Sequence, residues 1–417
     1  MSLRSAILVM SALGVISDSI LIAFYPQFFE LRYGSTSPIL VGSYIASISI
    51  AVMCTLPFWA RLALKVETMH LLLWTQLAAG LLGVISAFAP TVASYWAITM
   101  VMFMTKASYL LMFPYLMRLE KHEDHGHVIG LLSVIIHIAG IMAATFGGWS
   151  LQHFGSTTSI LVMAAGDFCQ MAICYYLIQS NKVIHTNQSD IPIEKDLPSR
   201  DQSNGETAAT LSSPQQATSR RIMALAKLCL IMLVFDFSAY LIRPFFSVYW
   251  EDVSGLPDRA ITGAVFAIPA LAALLGLWAN KLADRGKLPK MNHTLLNLML
   301  GVVGLAMQST DSIASILIGR FLFGWGLFQI IVKLEVTLFK ISSPEYYARD
   351  FSVTNFCQNL GVLLSSFGAG YVVSILGIQQ TFVIAAIGFV VTAIACKALL
   401  NMDQATPPKE PVSDAIS

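Results

Sequence analysis

In this chain of 417 residues 56% are hydrophobic and only 12% charged, about half the charge of an ordinary soluble domain, and the mean hydropathy of +0.69 points to many passes through a bilayer. A formal net charge of +1, with no basic tract, counts against a nucleic-acid partner. All six cysteines (Cys54, Cys169, Cys174, Cys229, Cys357 and Cys396) lie in apolar runs without a C-x-x-C pair and read as small core residues, not as disulfide or metal chemistry.

A span needs about 20 apolar residues. On that basis twelve helices are expected, near 5–30, 38–58, 69–89, 93–117, 128–150, 157–179, 222–250, 259–282, 293–309, 311–337, 351–373 and 380–400. The first has Arg4 ahead of an apolar stretch but no small-residue cleavage site before Phe29, so it reads as a retained span and not a signal peptide. Between the sixth and seventh spans, residues 180–221 are rich in Ser, Gln, Asp and Pro, the composition of a disordered linker. The tail 401–417 has a similar composition. The expected organisation is therefore an N-terminal six-helix unit (1–179), a linker (180–221), a C-terminal six-helix unit (222–400) and a tail (401–417).

Orientation follows from the basic residues. Arg61, Lys65, Arg118, Lys121, Lys182, Arg220, Arg221, Arg285, Lys287, Lys290, Lys340 and Arg349 fall in or beside alternate loops, whereas the opposite loops hold little beyond Arg32 and Arg259. The positive-inside rule places both termini and the linker in the cytoplasm of a cell whose inner membrane holds the chain.

The two units repeat one another. "FWARLALK" at 58–65 recurs as "WANKLADRGK" at 278–287, about 220 residues on. Asp18, Pro26 and Phe28 recur as Asp236, Pro244 and Phe246. "GIMAATFGG" at 140–148 recurs as "GVLLSSFGAG" at 361–370, which sets His137 opposite Gln358. Parallel repeats with a site between them at the bilayer midplane are one way secondary transporters are built.

With these residues the chain resembles the major facilitator superfamily over essentially its whole length. The loop after the eighth span keeps Leu282, Ala283, Asp284, Arg285 and Gly286 of that family's G-x-L-A-D-R-x-G-R-R signature. The loop after the second keeps Arg61, Leu62 and Ala63 but has Leu64 at the acidic position. The resemblance implies an all-α membrane fold of twelve helices in two pseudo-symmetric bundles, with Arg61, Lys65, Asp284 and Arg285 as gating-loop residues. The glycine-rich fifth span is similar to the motif of the family's antiporters, although Ala143 and Ala144 stand where a proline is usual.

Ionisable groups at bilayer depth cost about 2.5–3.5 kcal/mol each on insertion scales and default to functional candidates. Asp18, Lys106, Asp167, Asp236, Arg243 and Arg320 stand out, with His137 as a seventh titratable group. Asp18, acidic in both repeats, is a candidate proton carrier or a helix-locking salt-bridge partner, and Asp236 is its counterpart. Lys106 is a candidate substrate-anion contact or a neutraliser of Asp18 or Asp167; Asp167 itself is left open between function and a helix contact. Arg243 shares a face with Asp236 and Tyr240 and offers a planar fork to a carboxylate or phosphate, or a lock at an outer gate. Arg320, in "GRFLFGWG", is open between substrate contact and structure. His137 is a proton relay with an unperturbed pKa of about 6.5 or a hydrogen-bonded core histidine. Gln358 belongs to a polar patch with Asn355 and Asn359.

No G-x-x-x-x-G-K-[ST] loop, H-E-x-x-H motif or nucleophile elbow is present, so neither ATP coupling nor hydrolytic catalysis is expected. His122, His125 and His127 lie beside acids in a short loop and read as solvated, not as a metal site. No cofactor is expected. The expected function is proton-coupled secondary transport by alternating access in a monomer, exporting a small anionic or zwitterionic metabolite or drug; a carboxylate siderophore is one candidate. Import of a small organic acid, sugar or nucleoside is the alternative.

Overall fold

The computed structural model describes residues 3–63, 65–112, 115–116, 125–180, 214–289, 293–342 and 346–400. The expected tail, His122 and most of the expected linker lie outside these residues.

The first expected span is two helices, α1 (Leu3–Ser19) and α2 (Tyr25–Tyr33). Pro26 sits at the start of α2, where its missing N–H has no helical partner to lose. The break between them is tightened by bonds from Ile22 N to Ser19 O (3.2 Å) and Phe24 N to Leu21 O (2.9 Å). The seventh span breaks at the matching place. Helix α7 (Pro214–Tyr240) ends before Pro244 and α8 (Phe246–Ser254) follows, with Arg243 N bonded to Tyr240 O at 3.1 Å. Both breaks place a charged side chain, Asp18 or Arg243, beside unwound backbone. Helix α7 also begins eight residues earlier than the composition suggested. Its first turn is Pro214 followed by Gln-Gln-Ala, a proline where the first turn tolerates one and then helix formers.

Between these broken spans lie α3 (Pro38–Leu62), α4 (Thr68–Ala87), α5 (Val92–Lys106) and α6 (His125–Gln179). The starts of α3, α4 and α5 are capped by Ser37, by the Glu67 carboxylate and by a Thr91/Ser94 capping box, each satisfying N–H groups left free in the first turn. A 3-10 segment, Ala107–Leu111, follows α5. The fifth and sixth expected spans are continuous in α6 except at Gly155, whose φ of 77° a side chain would resist.

The second half continues with α9 (Arg259–Phe266), α10 (Ile268–Asp284), α11 (Thr294–Gln308), α12 (Ile313–Ile341), α13 (Tyr347–Leu376) and α14 (Gln379–Ala395). The eighth span is divided between α9 and α10 at Ala267, just before Pro269. No strand occurs among the described residues. Eight helical segments there are long and apolar enough to cross a membrane, and large apolar side chains such as Trp74, Phe88, Ile375 and Ile394 are exposed, as lipid contact allows and water does not. The chain is an all-α, multi-pass membrane protein.

One face of the protein carries Arg61, Lys65 and Arg285, all exposed, and is here called the basic face. At the opposite face the helices before and after residue 180 meet backbone to backbone. A methyl built on Gly42 of α3 would stand 2.5 Å from Ser366 O and 2.9 Å from Gly370 Cα of α13. Gly148 of α6 packs on the Arg259 carbonyl, and Gly263 of α9 on that of Ala144. The Gln152 side chain accepts from Arg259 N at 2.8 Å. The Ser247 hydroxyl at the start of α8 donates to Ala23 O, a carbonyl in the break between α1 and α2. Small residues admit these contacts.

Candidate functional site

The first cluster forms around Lys106, the last residue of α5. It is 1% exposed, and its ammonium lies 2.9 Å from Asp18 Oδ1 of α1 and 2.8 Å from Asp167 Oδ1 of α6. It also donates to Ser17 Oγ at 2.6 Å. Ser17 in turn lies 2.8 Å from the carbonyl of Met163 and 3.1 Å from Asp167 Oδ1. The Tyr109 ring edge packs on Gly14 of α1, one turn before Asp18. Lysine has three N–H donors, and Lys106 has three oxygen partners.

The members differ in access. Asp167 is fully buried and its Oδ2 has no protein partner. The Asp18 side chain is 25% exposed and lines a cavity of about 170 Å³ with Tyr25, Phe103, Tyr240 and Arg243. With both carboxyls ionised, one ammonium faces two negative charges.

A second cavity, of about 310 Å³, adjoins the first and shares Ile22, Tyr240 and Arg243 with it. It is lined further by His137, Phe266, Phe323, Phe328 and Arg320, and by no carboxylate among the described residues. Arg320 is held rigidly, donating to Phe266 O at 2.8 Å, with its guanidinium 3.6 Å from the Phe246 ring centroid. Arg243 rests over the Tyr240 ring at 5.4 Å and has no carboxylate within 4 Å among the described residues. It lines the same cavity as Arg320. His137 Nδ1 contacts Ser133 O at 2.7 Å; a carbonyl only accepts, so Nδ1 carries the proton and Nε2 is left for another partner. Its ring meets Phe328 edge-on.

Asp236 joins neither cavity lining. It is 4% exposed, packs against Gly361 of α13 and faces Gln358, and its Oδ2 has no protein partner. The repeat therefore places two acids at matching sequence positions in unlike surroundings, one on a lysine and one on an amide. Arg61, Lys65, Asp284 and Arg285 are exposed, and among the described residues none of them forms an ion pair. Lys106 lines neither cavity in this conformation. His125 and His127 fall in the first turn of α6, and no cluster of three metal-ligating side chains occurs among the described residues.

A family profile, Major Facilitator Superfamily, matches residues 7–338. The chain belongs to the Major Facilitator Superfamily. Solved structures of the superfamily overlay along nearly its whole length. The nucleoside transporter NupG has a TM-score of 0.71 at 13% identity, covering 97% of this chain and 100% of the other. A bacterial homologue of the human lysosomal transporter Spinster, in an inward-facing and occupied conformation, gives 0.71 at 12%, covering 97% and 98%. The POT family transporter PepTSo gives 0.70 at 9%, covering 95% and 98%. At these identities the likeness shows the fold alone. A search of curated proteins returns no match. Membership makes this superfamily chain a transporter and not an enzyme, with a small molecule as its substrate.

Three contributors to the site had no role in the sequence reading. Ser17 is one serine among many, but its position beside Asp18 was a signal. Gln76 and Gln170, buried near the Lys106 cluster, are amides in otherwise apolar helices, and polar side chains at bilayer depth were the very pattern by which the charges were found.

Proposed function

We propose that this protein couples proton movement to the passage of a small organic anion through the inner membrane, exporting it by alternating access as a monomer with both termini in the cytoplasm. The observation that carries the reading is the junction of two unbalanced charge sets at Arg243. On one side lies a cavity with two guanidiniums and no carboxylate. On the other lies an acid pair that shares one lysine. An anion brings the first set toward neutrality. One proton on Asp18 or Asp167 makes the second neutral, so the cluster alternates between two states that both keep Lys106 paired. Asp18, which reaches a cavity, is the group that exchanges the proton. Arg243 is the free fork for a carboxylate, and Arg320, His137 and Tyr240 complete the wall around it. Lys106 acts on Asp18 and Asp167, with no direct contact to the substrate. Asp236, next to Gln358, is a second carboxyl able to gain and lose a proton. Export rests on the likeness of the glycine-rich α6 segment to antiporters.

The test uses purified protein in proteoliposomes with an imposed pH gradient and a panel of di- and tricarboxylates, a carboxylate siderophore and a neutral nucleoside. Gradient-driven flux is expected for anions and not for the nucleoside, and Asp18→Asn is expected to abolish it. Flux that ignores the gradient, or persists in Asp18→Asn, refutes the coupling. Preference for the nucleoside refutes the anion assignment and returns the import alternative.

A further inference from the structure

The interior of the first helix group is layered beneath the Lys106 cluster. Its layers are built from α1, α4, the end of α5 with the segment after it, and α6. The upper layer is Ser17, Asp18, Lys106 and Asp167, already described. The lowest is apolar, with Met10, Leu72, Met112 and Cys174 buried together. One helical turn separates Leu72 from Gln76, Cys174 from Gln170 and Met10 from Gly14, so the middle layer holds Gln76, Gln170 and Gly14 on the same helix faces.

The middle layer is polar. Gln76 and Gln170 are completely buried, and neither the oxygen nor the nitrogen of either amide has a protein partner. Gln170 Oε1 points at α1, lying 3.5 Å from where a methyl on Gly14 would stand; the Tyr109 ring edge lies 3.1 Å from the same point. The Thr75 and Ser108 hydroxyls bond each other at 2.6 Å beside Gln76. Asp167, one turn above Gln170 on α6, contributes an Oδ2 that is likewise without a partner. Buried polar atoms are overwhelmingly hydrogen-bonded, and here five of them, on three side chains, lack a partner at neighbouring levels of one bundle.

The chemistry of the set selects the ligand. Each amide offers a donor and an acceptor, and Asp167 Oδ2 adds an acceptor, so the occupant must both give and receive hydrogen bonds. A metal cation meets opposition from the amide N–H groups and from Lys106. Neither cavity reaches the amides, and the apolar layer closes the space toward the basic face. Water fits: a buried water typically makes about three hydrogen bonds to groups of this kind.

We propose that Gln76, Gln170 and Asp167 Oδ2 together bind internal water, and that this water lets Asp167 take up and release a proton without leaving the bundle core. The proposal rests on the proton-carrier reading above and extends it to Asp167, with the two glutamines as positioning residues. The titratable groups around the layer are Asp18 from α1 and Lys106 above it, Tyr109 at its own level beside Gly14, and Cys174 below. Proton exchange with the cavity then runs between Asp167 and Asp18 through Ser17 and the internal water, while Lys106 stays charged.

The test is infrared spectroscopy of the full-length protein in lipid, following the carboxyl C=O band after a pH jump, with Asp167→Asn identifying the band. In Gln76→Met and Gln170→Met the band is expected to relax about tenfold more slowly or worse, the equivalent of one lost water-mediated hydrogen bond in the path, with thermal stability retained. An unchanged rate, or raised stability at an unchanged rate, overturns the proposal while leaving the carrier reading standing. Absence of any titrating carboxyl band overturns both. A cryo-electron microscopy map that resolves water needs no variant: density within hydrogen-bonding distance of Asp167 Oδ2 and both amides is expected, and a dry map overturns the assignment.

Discussion

Lys106 holds two carboxylates at once, so its removal leaves both acids, the buried Asp167 and the partly exposed Asp18, without a cation. Lys106→Met is expected to destabilise the protein by about 3–5 kcal/mol, the range for breaking a buried pair from one side. Adding Asp167→Asn to that variant should recover much of the loss, because only the partly exposed Asp18 then remains to be solvated. Thermal unfolding of the single and double variants in detergent checks this, and equal losses in both would mean that Asp167 is not held by Lys106. Arg243 makes the contrasting case, a guanidinium with no carboxylate within 4 Å among the described residues. Arg243→Lys keeps the charge but loses the planar fork; anion affinity is expected to fall about tenfold, as for a charge-assisted hydrogen bond worth about 1.5 kcal/mol or more, with stability little changed. Binding titrations of the preferred anion give the measurement. The charges themselves were legible in the sequence, because a lone Asp, Lys or Arg in an apolar run has no ordinary explanation. Asp18 and Asp167 are each offered by the sequence as a partner of Lys106; that Lys106 holds both at once is not, since α1, α5 and α6 become neighbours only through the packing of the whole bundle.

At the scale of the element, proline placed the breaks and glycine the close approaches. Pro26 and Pro244 are visible as a repeat, yet the apolar runs predict unbroken helices through them, because a proline in a long apolar run does not say whether it kinks the helix or ends it. The structure ends it in both places. The spans α3, α4 and α12 are readable to within a few residues of their ends, since hydropathy and the caps Ser37, Glu67 and Ser312 agree there. Gly42 shows what the glycines do. Gly42→Val would drive a side chain into the Ser366 carbonyl, 2.5 Å from the first added carbon, and overpacking of this kind costs about 1–3 kcal/mol. The strain falls on the α3–α13 contact, so the expected result is a folded protein whose opposite face opens. Cysteines introduced at Ser37 and Ser374 should then react faster with an impermeant thiol reagent. Unchanged labelling would show that the contact yields without moving the helices.

For the whole molecule, the repeat foretold the architecture but not the conformation. Two sequence-related units can rock toward either face, and no residue pattern says which arrangement has lower free energy; that depends on small differences between two sets of contacts. The gating-loop residues illustrate the limit, since their motif is readable while their lack of ion pairs among the described residues is found only from the folded chain. The hydroxyl of Ser247 adds a consequence of its own. The carbonyl it satisfies, that of Ala23, was released by the interruption of the first span and has no helical donor to return to, so parting the two must hand that oxygen to solvent. Ser247→Ala should thus relax the bias toward the arrangement seen here by roughly 1 kcal/mol, about a fivefold shift in conformer ratio, and spin-label distance distributions across this face would register it. A single side chain would then act as a ballast weight, setting how long the carrier idles in one posture before cargo or protons tip it.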